Sequence, residues 1–311
     1  MHEHDTISPP SPAQVTEVGP GVYAYIQPDG TWWINNAGFI VGSEGVILID
    51  TCATAARTER LLATIRSITD APVRIVVNTH HHGDHTHGNA LTAPATIVAH
   101  RLCRAAMERT GIEHYEEAFT QPTWGALELR PPTITFESRL DLWSDDRLVE
   151  LHHIGGTAHT TNDIVAWLPV ERVLFTGDLV FHGGTPFVLM GSVPGSIAAL
   201  ERLRAFGATT VVPGHGPVCT PAVLDGIERY LNMVQDTAEV AIGAGLTPLQ
   251  AARGVQLGEF GRLSDSERLV GNLHRAMAEL SGPEANASMS VAIAIADMLQ
   301  LNGGKLLRCT A

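Results

Sequence analysis

The chain has 311 residues, 44% of them hydrophobic and 17% charged, which supplies a large buried core and excludes global disorder. Lys and Arg number 20 against 33 Asp and Glu, a formal net charge of −13, so the basic surface that nucleic acid or an anionic membrane requires is missing from the composition. Histidine, with 15 copies, is the residue whose placement decides the reading.

Residues 1–14 read as a disordered leader, too loose for His2 and His4 to hold metal geometry. They lack the basic and apolar regions of an export signal. No apolar run reaches the ~18 residues of a membrane span. Cys52, Cys103, Cys219 and Cys309 lie far apart with no CxxC pair, so no disulfide framework is expected, and the predicted compartment is the cytoplasm. Strand and turn patterns fill 15–50, with alternation over 21–26, a Pro-Asp-Gly turn at 28–30, and two apolar runs (37–41 and 45–50) joined as a hairpin. A helix is predicted over 53–68, a buried strand over 73–78, a strand over 95–99 and a helix over 101–109. The stretch 111–132, with Tyr115, Phe119 and Trp124, reads as a long loop or lid. Strands follow at 133–137, 148–153, 163–168 and 172–176, then a helix over 195–206 and a strand over 209–212.

After residue 220 the pattern turns helical: 221–242, a helix opened by Thr247-Pro248, then 264–280 and 285–301. The division expected is a strand-rich body over 15–220 and a C-terminal helical extension over 221–311 that packs on it. Helices on the outer faces of two packed sheets give an α/β, four-layer αββα sandwich. The apolar stripe Leu269, Leu273, Met277 and Leu280 reads as core packing or as a homodimer contact through these helices.

The chemistry concentrates in Thr79-His-His-His-Gly-Asp-His-Thr-His-Gly-Asn89. His80, His82, Asp84 and His85 follow an HxHxDH spacing just beyond an apolar strand. His80 and His82 can point the same way on an extended piece, and Asp84 and His85 can face a neighbouring ion from the next turn. Imidazole and carboxylate donors suit zinc or another first-row divalent ion. His81 and His87 read as outer or exposed members of the cluster. Three later residues stand at strand ends or glycine-rich turns and can complete two adjacent sites: His159 in Gly-Gly-Thr-Ala-His, Asp178 in Phe-Thr-Gly-Asp, and His215 in Pro-Gly-His-Gly.

That order of motifs resembles the metallo-β-lactamase-fold hydrolase superfamily, over roughly residues 15–220. The resemblance implies two metal sites, one held by His80, His82 and His159, the other by Asp84, His85 and His215, with Asp178 bridging them. The ions it implies are two Zn²⁺, with Fe or Mn as alternatives. Asp50 resembles an acid that orients a ligand histidine in this family; it could equally cap the helix beginning near residue 53. A metal pair lowers the pKa of a shared water from about 15.7 toward about 7, which makes a bridging hydroxide the implied nucleophile. Asp84 and Asp178 are then the catalytic carboxylates, Asp84 orienting the nucleophile and carrying a proton.

Some members place Lys or Tyr three residues after the bridging acid. Here that position is Phe181, and the next residue, His182, is either a replacement donor to substrate or a surface histidine. The implied function is hydrolysis of a small acyl substrate, a thioester, lactone or related ester. The alternatives are β-lactamase-type amide hydrolysis and iron-dependent redox chemistry on the same fold.

Overall fold

A computed structural model describes residues 12–311. The leader expected over 1–14 lies outside the described residues up to position 11, and Gln14 already belongs to the first strand. The first sheet runs in sequence order: β1 (Gln14–Gly19), β2 (Val22–Ile26), β3 (Ala37–Val41), β4 (Val46–Ile49), β5 (Val73–Val77), β6 (Thr96–His100) and β7 (Ile134–Phe136). The first four strands pair antiparallel. From β4 onward the pairing is parallel, so each step needs a crossover. Helix α1 (Ala55–Ile68) carries the first; α2 (Gly83–Thr86) with a 3₁₀ turn over His87–Thr92 carries the second. Helix α3 (Arg101–Thr110) and the irregular 111–132 stretch carry the third.

The second sheet has the order β12-β11-β10-β9-β8, built from β8 (Arg139–Ser144), β9 (Arg147–His153), β10 (Ile164–Leu168), β11 (Val173–Phe181) and β12 (Thr210–His215). Its one parallel pair, β11 with β12, is joined through α4 (Val193–Ala205). Strand β8 is missing from the sequence reading. Leu140 and Leu142 alternate with Arg139, Asp141 and a 62% exposed Trp143, and one half-dry face on an edge strand is a weak pattern.

Three apolar seams hold four layers together. Ile40, Ile47 and Val22 of the first sheet meet Leu151, Ile164 and Phe175 of the second. On the outer face of the first sheet, Phe39, Leu48 and Val76 pack against Leu61 and Ile65 of α1. On the outer face of the second, Val165, Leu174 and Val211 pack against Leu200 and Leu203 of α4. Strand β11 is buried at all nine positions, as a central strand covered on both faces must be.

The helical extension shares that third seam. It comprises α5 (Val223–Gly243), α6 (Pro248–Gly254), α7 (Arg268–Leu280), α8 (Pro283–Ser288) and α9 (Val291–Leu301). Thr247 and Gln250 form a reciprocal cap at the start of α6. The single helix expected over 285–301 is two: Ser290 lies between them and caps α9 by accepting from the Ile293 amide. Leu269 and Leu273 of α7 are fully buried against the body, while Leu280 at the end of the same stripe is 41% exposed. The chain end then crosses to the loop after α3. The Leu307 amide donates to the Ala118 carbonyl at 2.8 Å, and the Thr120 amide donates to the Leu307 carbonyl at 2.9 Å. Among the described residues no helix is long and apolar enough to cross a membrane.

Candidate metal centre

The histidine-rich run follows β5 directly, so its first residues leave a rigid parallel strand and turn into α2. His159 sits in the loop between β9 and β10, Asp178 within β11, and His215 closes β12. All converge on one edge of the two sheets. Asp178 gets there through an irregularity: the β11–β12 register slips on both sides of Gly177, which has φ +51°. A Cβ on Gly177 would stand 2.6 Å from Thr79 Oγ1, and one on Gly214 would stand 2.0 Å from Asp178 Oδ1. Both positions need glycine for the acid to enter.

Two groups of donors result. Ligand atoms of His80, His82, His159 and Asp178 lie within 4.8 Å of one another, as do those of Asp84, His85, Asp178 and His215. Asp178 belongs to both groups. Its Oδ2 is 3.4 Å from His159 Nε2, 3.9 Å from His80 Nε2 and 3.3 Å from His215 Nε2, while its Oδ1 is 3.0 Å from His85 Nε2. His215 Nε2 also lies 3.3 Å from Asp84 Oδ2.

Outward hydrogen bonds set which nitrogen faces inward. His159 Nδ1 donates to the Phe187 carbonyl at 2.6 Å, and His215 Nδ1 to the Gly30 carbonyl at 3.1 Å. His85 Nδ1 donates to Asp50 Oδ2 at 2.8 Å. His80 Nδ1 donates to Thr79 Oγ1 at 3.1 Å, and that hydroxyl passes its own proton to Asp50 at 2.7 Å. Each of these rings therefore keeps an Nε2 lone pair for the centre. His82 is turned the other way, its Nδ1 standing 3.1 Å from His80 Nε2 and 2.9 Å from His159 Nε2. Asp50 is buried and also accepts from the Thr79 amide at 2.7 Å. Capping of α1 falls to Thr54, which accepts from the Arg57 amide, so Asp50 is left to position His85 and, through Thr79, His80.

The residues present fit a pair of divalent cations. His82 Nε2 is buried without a hydrogen-bond partner, and His85 Nε2 and Asp178 Oδ1, 3.0 Å apart, make no well-aligned bond, although such atoms normally do. The charge balance points the same way. Burial pushes the Asp178 carboxyl up, but neighbouring His215 and His85 outweigh it and hold it well below the usual range. Asp84 is held low against burial by His85 and His215. Burial pulls His85 and His215 down, but Asp178 and Asp84 outweigh it, leaving His85 well above its usual value and His215 at about 9. His80 and His82 are driven well below theirs, first by burial and then by the neighbouring imidazoles. The carboxylates thus draw compensating positive charge into a buried site, where a bound cation would take the place of the protons.

The donors open onto one cavity. His82, Asp84, His159, Asp178 and His215 form its polar end, and Trp32, Trp33 and Phe119 are among the rings facing them. Phe181 is in the lining and stacks on His215 with ring centroids 5.1 Å apart. His182 is not brought into the lining: its Nδ1 donates to the Pro217 carbonyl at 2.9 Å. His81 and His87, expected at the outside, both line the cavity, and burial pulls each down to about 4. The sequence reading passed over Trp32, Trp33 and Arg268. The pair of adjacent tryptophans after a predicted turn is a signal for the first two; nothing local marks Arg268.

The family model of the metallo-beta-lactamase superfamily matches residues 30–215. The linear primary-alkylsulfatase of a Pseudomonas strain is 26% identical over 263 residues, covering 70% of this chain and 49% of the relative. A hydroxyacylglutathione hydrolase of Rhodospirillum rubrum is 30% identical over 145 residues, covering 44% of this chain and 45% of the relative. The chain thus spans about half the length of these curated relatives. A solved metallo-beta-lactamase from Pontibacter korlensis superposes with a TM-score of 0.59 at 23% identity, covering 71% of this chain and 99% of that one, a likeness of fold.

Proposed function

The chain belongs to the metallo-beta-lactamase superfamily and is an enzyme of its hydrolase kind, and from that premise we propose that it cleaves a small acyl substrate, a thioester, lactone or related ester, at a paired zinc centre. The observation that carries this reading is Asp178, a single carboxylate shared by two groups of imidazole and carboxylate donors. His80, His82, His159 and Asp178 would hold one ion, and Asp84, His85, His215 and Asp178 the other. The imidazole-rich donor set favours zinc over manganese, and metal analysis separates zinc from iron, which imidazole also suits. Bound there, a cation pair supplies Lewis acidity toward the scissile carbonyl and makes water acidic enough to attack near neutral pH.

The chain's own residues do the remainder. Asp84 is in the cavity lining with one oxygen 3.3 Å from His215 Nε2, a position from which it would orient a water and move a proton to the leaving group. Asp50 keeps His85 in the tautomer that presents Nε2. Phe181 gives no charge where a carboxylate-bearing lactam would need one, which favours a simple acyl group. The relative named as a hydroxyacylglutathione hydrolase supports an acyl substrate. The test is metal analysis of protein expressed without added metal, followed by a panel of thioesters, lactones, aryl esters and β-lactams. Two zinc ions per chain with turnover of esters above β-lactams is the expected result. Iron with oxygen consumption, or β-lactams as the best substrates, would overturn it.

A further inference from the structure

The cavity has a second wall, and its chemistry is one-sided. Trp32 stands edge-on to Phe119 and Phe187, with ring centroids 5.1 and 4.9 Å apart. Facing them are Ile295 and Met298 of α9 and Leu307 of the chain end, all in the lining. An apolar group seated between these surfaces loses its water contact on both sides.

Away from the donor cluster, where bound cations would supply positive charge of their own, an anionic group has no such welcome. Arg268 is the one Lys or Arg among the described lining residues. It is 1% exposed, and its charge is already committed: a terminal guanidinium nitrogen lies 2.9 Å from Asp265, another donates to the Thr185 carbonyl at 2.9 Å, and only Nε lacks a partner. The guanidinium carbon lies 4.1 Å from the centroid of Trp32 and 5.1 Å from that of Phe181. The cation thus stiffens the aromatic wall. The other charged side chain beyond the donor cluster is Glu113, exposed in the loop after α3, which repels anions.

We propose that the substrate carries an uncharged, apolar aliphatic or aryl group beside its scissile bond, held between the Trp32 wall and α9. This rests on the hydrolase reading above and specifies its substrate class.

Zinc-loaded enzyme is assayed with p-nitrophenyl acetate, butyrate and hexanoate, and with p-nitrophenyl hemiglutarate, which ends a similar chain in a carboxylate. The expected kcat/KM rises about tenfold or more from acetate to hexanoate, and hemiglutarate falls at least tenfold below hexanoate. Ile295→Lys, at a half-buried position, should lower the hexanoate-to-acetate ratio about tenfold while zinc content and melting temperature show that the fold persists. A flat chain-length series, or hemiglutarate as the better ester, would overturn the proposal. Calorimetric binding of N-phenylhexanamide and its ω-carboxylate analogue gives a readout independent of turnover. If none of these esters is hydrolysed, the ester part of the reading above falls by itself, and the amide pair still decides the class: tighter binding of the neutral amide supports it, and tighter binding of the carboxylate refutes it.

Discussion

The two walls of the cavity are built by different means. The polar wall comes from the ends of strands and the turns after them, all between residues 79 and 215, and nearly every ring in it is aimed by an outward hydrogen bond of 2.6–3.1 Å. The apolar wall is gathered from positions 32–33, 118–119, 181–190 and the helical extension, and it is fixed by packing and by one buried arginine. Hydrogen bonds hold direction, which ligands need; packing holds shape, which selection among acyl groups needs. Damage to one wall should therefore read out differently from damage to the other.

Asp178→Asn tests the polar wall most severely. It removes the one carboxylate common to both donor groups, so metal content and hydrolysis should fall together, with kcat/KM down by about 10³-fold or more. Metal analysis beside ester kinetics checks this; a variant with two ions and full rate would show that Asp178 does not bridge. Arg268→Ala is the counterpart on the apolar wall. It leaves Asp265 partnerless in a site where both side chains are nearly dry, a loss of about 3–5 kcal/mol. Denaturant unfolding of the zinc-loaded protein measures it. Zinc stoichiometry should stay near two, and a loss of metal without a loss of stability would show that the walls are not separate.

The same contrast explains what could be read before the structure. Thr79–Asn89 packs its donors within eleven consecutive residues, so spacing alone shows a ligand cluster, and the glycine-flanked His159, Asp178 and His215 can be added one by one. The two sheets were legible because strands such as 46–49 and 164–168 are continuous apolar runs. Arg268 was not legible: its meaning depends on Trp32, 236 positions away, and on Asp265, whose charge it shares. His182 was legible only as a choice between a donor to substrate and a surface histidine, and the backbone turn sends its ring to Pro217. Side-chain direction in a glycine-rich loop is set by backbone angles that pattern does not carry.

Asp50→Asn sharpens the claim that outward bonds aim the ligands. The amide keeps the shape but can present its NH₂ to His85 Nδ1, favouring the tautomer that occupies Nε2 with a proton. Metal affinity should fall about 10- to 100-fold, with the folded state kept. Competition with a chelator of known affinity reads it directly, and unchanged affinity would mean that packing, not Asp50, holds the ring.

The smallest effect is expected at His182. Its backbone donates to the His215 carbonyl at 2.9 Å, a bond that any residue there can make. Its side chain contributes one hydrogen bond to Pro217 at a half-exposed position, so His182→Ala should cost about 1 kcal/mol or less of stability. Zinc content should be unchanged, and kcat and KM for a neutral ester should each stay within about twofold, since a loss of that size is about 0.4 kcal/mol in the transition state. A tenfold fall in kcat with metal intact would place the ring in contact with substrate. The polar wall would then extend past β11, and the division between a hydrogen-bonded reacting side and a packed selecting side would have to be redrawn at Phe181.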